Sequence, residues 1–134
     1  MTLGMLGLLV YALVIVAILY ACWEVNQFLR QHEVIAHSSD LEAFKKLARR
    51  NMKAVFPLAA LFFAGMGLTA QLILQHRVIG FVAILLVNGL VMGSALALSK
   101  AEKQARELSC SDPALEAEYR RVSESWLNDS WPRF

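Results

Sequence analysis

Glu33 and His37 stand four residues apart, a spacing that would set a carboxylate and an imidazole on one face of a helix, where they could share a metal ion. Two ligands do not complete a metal site, so the pair reads first as solvated surface charge. Ser38, Ser39 and Asp40 follow His37 and supply the residue types of a nucleophilic triad. A triad is defined by placement in space, and contiguous residues of this kind have the form of a loop running into a helix cap. His32, His37 and His76 all fall outside the apolar segments in which haem ligation would be expected. The sequence holds no glycine-rich phosphate loop, nucleophile elbow or zinc-protease helix. No catalytic, metal-ligating or cofactor-binding residue is therefore assigned, and the reading is of a protein that is not an enzyme and carries no cofactor.

The remaining polar chemistry lies inside apolar runs. Residues 3–23 contain no ionisable side chain other than tyrosine and cysteine, and the same is true of 54–75 and 78–99. Each run is long enough to cross a hydrocarbon core of about 30 Å as a helix. The "LYAC" ending at Cys22 has the outline of a lipoprotein cleavage box, but no Lys or Arg precedes it and Tyr20 occupies a position where a small residue is usual. The first run is thus expected to remain as a span. The predicted fold is an all-α integral membrane protein: three transmembrane helices, a cytoplasmic helical hairpin (24–53) between spans one and two, and an amphipathic C-terminal helix. The domain division expected is 1–110 for the three-span part and 111–134 for the tail.

Orientation follows from the basic residues. Arg30, Lys45, Lys46, Arg49, Arg50 and Lys53 lie between spans one and two, Lys100, Lys103 and Arg106 follow span three, and only Arg77 lies between spans two and three. Basic flanks stay in the cytoplasm, which predicts the N-terminus outside and the C-terminus inside, in a bacterial inner membrane or an organelle membrane of equivalent sidedness. The net charge of +2 is modest and gathered at span ends, so it reads as a topology signal and not as a nucleic-acid surface. Cys22 and Cys110 would both face a reducing compartment, without a disulfide.

Between the spans, Val25, Phe28, Leu29, His32 and Ile35 keep helical spacing beyond the first span. "HSSD" breaks it, and Ser39 with Glu42 has the form of a capping box that starts a second helix carrying Leu41, Phe44, Ala48 and Val55. Pro57 either kinks that helix or restarts it. In the tail, Asp112 and Pro113 mark a helix start, and Leu115, Tyr119, Val122 and Trp126 share one face, extended by Trp131 and Phe134. This face is read as a partner contact or as a surface docked on the protein's own hairpin.

Small residues let helices approach in lipid, where packing rather than hydrophobicity drives association. Gly89, Gly93 and Ala97 form one stripe, and Ala60, Ala64, Gly67 and Gln71 another. With a reversal near His76 and Arg77, Gly89 lies level with Ala64 and Gly93 with Ala60, predicting a tight antiparallel pair of spans two and three; a homodimer through the glycines is the alternative. Asn88, Gln71 and Ser99 are the intramembrane polar groups singled out. Asn88 is read as an interhelical hydrogen-bonding group, with a pore lining or a headgroup or quinone contact as the sharper reading.

The segment "LARRNMKAVFP", residues 47–57, resembles the start of the second span in the membrane-associated eicosanoid and glutathione metabolism family, with Ala48, Asn51 and Pro57 at the family's spacing. Leu47 and Ala54 stand where that family has its arginine and glutamate, and four spans are implied where this chain has three. The layout is also similar to proton-driven stator proteins and phage holins. The leading functional expectation is a non-catalytic accessory or scaffold subunit of a membrane complex, binding a partner through hairpin and tail. The alternative is a self-associating channel, and a third reading is a divergent glutathione-dependent membrane enzyme. The expected partners are the lipid bilayer and a membrane protein or further copies of the chain.

Overall fold

The computed structural model describes residues 3–134. It consists of α1 (Leu3–Gln31), α2 (Ser38–Gln75), α3 (Arg77–Arg106) and α4 (Pro113–Asn128), with two short strands, β1 (Val34–Ile35) and β2 (Ser109–Cys110). Helices α1, α2 and α3 are each long and apolar enough to cross a membrane. Pro57 is interior to α2, which continues through it without a restart.

Contacts divide the chain into two compact units, one of residues 1–20 and 56–98, the other of 21–55 and 99–134. Charge follows the same division. Every Asp and Glu, and every Lys and Arg except Arg77, belongs to the second unit. The tail groups with residues 21–55 instead of standing apart after 110, because α4 shares their core.

In the apolar unit α1 packs antiparallel on α2. Within this unit the buried positions of α1 are Gly4, Gly7, Tyr11, Val14 and Ile18, alternating steps of three and four that keep one seam facing a partner helix. Gly4 lies at Leu72, Gly7 at Thr69 and Tyr11 at Gly65, so α2 descends as α1 climbs. A Cβ on Gly7 would sit 2.7 Å from the backbone nitrogen of Thr69, which makes glycine a condition of this approach.

The polar unit has a core built around aromatic side chains. Phe44 is fully buried, with the rings of Phe28, Tyr119 and Trp126 at 6.0, 4.8 and 5.6 Å. Ala48, Ala101 and Ala105 are buried beside them, small enough to let the helices close around the aromatic cluster. Strands β1 and β2 pair in parallel, Val34 with Ser109 and Ile35 with Cys110, and the Ser111 N–H donates to the Ile35 carbonyl at 3.1 Å. Helical spacing was expected to run on through Ile35; instead α1 ends at Gln31, and Val34 and Ile35 are extended to pair with β2.

Both helix starts are set by acidic side chains. Asp112 caps α4, accepting from the Ala114 N–H at 2.9 Å with Pro113 in the first turn. At α2 the expected Ser39–Glu42 box is replaced by Asp40, whose carboxylate reaches back to the N–H groups of Ala36 and His37, both at 3.1 Å. Glu42 pairs with Lys45.

Candidate functional site

The stripes of small residues do not meet within the chain. Ala60, Ala64, Gly67, Gly89, Gly93 and Ala97 are all exposed, and a Cβ added at Gly67, Gly89 or Gly93 would find nothing within 4 Å. The inward face of α2 is instead the neighbouring one, carrying Gly65, Thr69 and Leu72, and α1 occupies it. Matching the stripes by depth was not enough, because adjacent residues point about 100° apart around a helix. Within the apolar unit α2 and α3 approach at Gly80, whose missing side chain leaves room for the Leu72 carbonyl. The result is a long apolar helix, α3, with Gly89, Gly93 and Ala97 open along one side.

Its polar residues are engaged. The Tyr11 hydroxyl donates to Oδ1 of Asn88 at 3.5 Å, the long end of a hydrogen bond, while the Asn88 amide donates to the Ile84 carbonyl at 2.8 Å. Tyr11 is fully buried, edge-on to Phe62 at 5.6 Å, with Gly65 leaving space for its ring. Thr69 and Ser94 satisfy their hydroxyls on their own helices, Thr69 on Gly65 at 2.8 Å and Ser94 on Leu90 at 2.8 Å. Gln71 is half-buried and Ser99 exposed. Among the described residues, no buried side-chain nitrogen or oxygen lacks a partner.

In the polar unit, the tail face expected to meet a partner is turned inward. Tyr119, Val122 and Trp126 are buried and Leu115 is half-buried, so this face docks on the chain's own helices, the second of the two readings above. The Tyr119 hydroxyl donates to the Ala105 carbonyl at 2.5 Å and accepts from the Leu108 N–H at 2.9 Å. Burial pushes the phenol up to about 12, so it stays protonated and able to donate. Lys45 pairs with Glu118, which raises the lysine and lowers the carboxyl. Trp131 is 52% exposed, with the Lys53 ammonium 5.8 Å from its ring.

Asn51, buried at 7% exposure, donates to Glu102 at 3.2 Å. Together with Ala48 it belongs to the segment with the glutathione-family spacing; here both residues serve the core. Glu33 and His37 are both exposed, and β1 intervenes between α1 and α2, so the helical spacing that would bring them together does not form. Among the described residues no three His, Cys, Asp or Glu side chains gather as a metal site.

A half-open cleft of about 520 Å³ lies where the end of α3, β2 and α4 meet. Lys103, Arg106 and Arg120 face it, balanced by Glu107, Glu116 and Glu124, so it has no strong preference for ligand charge. Cys110 lines it, but burial and the nearby Glu116 and Asp112 raise its thiol, which disfavours the nucleophilic thiolate. Compared with known proteins, the chain matches no family model, no curated protein and no solved structure.

Proposed function

We propose that the chain is a non-catalytic accessory or scaffold subunit of a membrane complex, joined laterally to a partner helix along the face of α3 that bears Gly89, Gly93 and Ala97. That partner belongs either to another polypeptide or to a second copy of the chain. The carrying observation is the openness of this face, where nothing lies within 4 Å of a Cβ on either glycine. Of the three long apolar helices α3 is the least covered, with none of its most apolar stretch buried. Glycine in a helix interior costs about 1 kcal/mol relative to alanine. At Gly7 and Gly80 close approach within the chain offsets that cost, whereas at Gly89 and Gly93 a helix from outside the chain would do so.

The near-monopoly of Lys and Arg in the polar unit favours a position for it on the cytoplasmic side of a bacterial inner membrane, with the N-terminus outside. The tail completes this unit, leaving the bilayer face of α3 as the better surface for a partner. The channel reading draws no comparable support, since the Asn88 amide is engaged by Tyr11 and Ile84.

The test is the mass and composition of the particle released from native membranes in a mild detergent. Other polypeptides, or several copies of the chain, support the proposal. A lone 15.0 kDa chain in its detergent belt sinks it.

A further inference from the structure

Lys46, Arg49, Arg50 and Lys53 follow one another on α2 at helical spacing and, with Ala54, line a shallow open cleft of about 470 Å³ in the polar unit. Like charges at this spacing repel. One carboxylate ion-pairs with the row among the described residues, Glu24 on Arg50. Two further contacts position the cations of the row. Arg49 donates its Nε to the main-chain oxygen of Phe134 at 2.8 Å, and its guanidinium lies 5.6 Å from that ring's centre. Lys53 lies over Trp131.

The row ends immediately before the apolar run 54–75. Beside it in the chain Val55 is 59% exposed, and the Trp131 ring over which Lys53 sits is also exposed. Cations, an amphipathic indole and an exposed aliphatic side chain are the groups that a headgroup, a glycerol backbone and the first acyl carbons require.

We propose that this row binds the phosphodiester of an anionic phospholipid, with Arg49 and Lys53 as its principal cations and Trp131 at the glycerol level. Charge complementarity selects an anion, and the exposed apolar surface selects a lipid over a soluble phosphate. The site requires α2 to cross the bilayer but is independent of lateral association through α3, so the two proposals fail separately.

The experiment is native mass spectrometry of the full chain taken from vesicles containing equal amounts of phosphatidylglycerol and phosphatidylcholine. Retained lipid is expected to be enriched in phosphatidylglycerol. In the Arg49→Gln/Lys53→Gln variant the preference falls roughly 25-fold, at about fivefold per cation near a charged surface. The charge-retaining Arg49→Lys/Lys53→Arg variant keeps most of it, and Arg120→Gln/Arg121→Gln on α4, with the same loss of charge, leaves it unchanged. Equal retention of the two lipids by the unaltered chain overturns the proposal, as does an equal loss in the α4 variant. Binding of inorganic phosphate in uncharged detergent as tight as that of phosphatidylglycerol overturns the lipid assignment.

Discussion

Asn51 donates its side-chain amide to the carboxylate of Glu102 at 3.2 Å, a polar link between α2 and α3 inside the polar unit. Burial raises the Glu102 carboxyl above its ordinary range, and the bond from Asn51 and the charge of Arg106 offset this only in part. The folded chain therefore holds this proton more tightly than the unfolded one. Its stability should fall as pH rises from the ordinary value of 4.5 through the raised one. Glu102→Gln keeps an oxygen for Asn51 and removes the charge. It should raise stability at neutral pH and flatten this part of the profile, read by thermal unfolding in detergent; a less stable variant would contradict the assignment.

Asp40 shows the opposite sign. The N–H groups of Ala36 and His37 hold its carboxylate below its ordinary 3.8, helped by nearby His32 at 3.2 Å. Its contribution is present above that value and is lost as pH falls through the depressed one. Asp40→Asn should weaken the polar unit at neutral pH, with the difference from the unaltered chain vanishing in strong acid. Hydrogen exchange at the start of α2 would show the effect locally.

Tyr119→Phe removes a donor to Ala105 and leaves the Leu108 N–H without its acceptor. A loss of about 1–3 kcal/mol is expected, the cost of a buried polar group left unpaired. Because the phenol titrates near 12, the loss should be the same at every pH from neutral to mildly alkaline. Denaturant titration at two pH values checks both points.

The glycines of the apolar unit divide into two kinds. Gly7→Ala drives a methyl into the Thr69 backbone and should cost about 1–3 kcal/mol, as overpacking does. Gly89→Ala meets open space and should leave the single chain as stable as before or slightly more so, by about 1 kcal/mol of helix propensity. Unfolding of the monomeric chain in a strong detergent separates the two.

The long apolar helices were legible because charge is absent from runs of sufficient length, and the start of α4 because Asp112 and Pro113 are local signals. Which side of each span faces inward was not. A helix apolar around its whole circumference carries no stripe to mark its buried face, so Gly7, Tyr11, Gly65 and Gly80 passed unnoticed beside the more regular Gly89 and Gly93. The cap of α2 was misplaced by the rival signal of Ser39 and Glu42, when Asp40 does the work from the third position. The pairing of Ile35 with Cys110 joins segments far apart in sequence, and two-residue strands have no periodicity to detect. Asn51 could have been found, since it follows Leu41, Phe44 and Ala48 on the apolar side of its helix.

The proposed lateral association through the open face of α3 is tested by the particle mass of the Gly89→Leu/Gly93→Leu chain in mild detergent beside the unaltered one. The unaltered chain should run as a larger assembly, and the double variant as a single 15.0 kDa chain with its polar unit still folded. An unchanged assembly mass in the variant would contradict the claim.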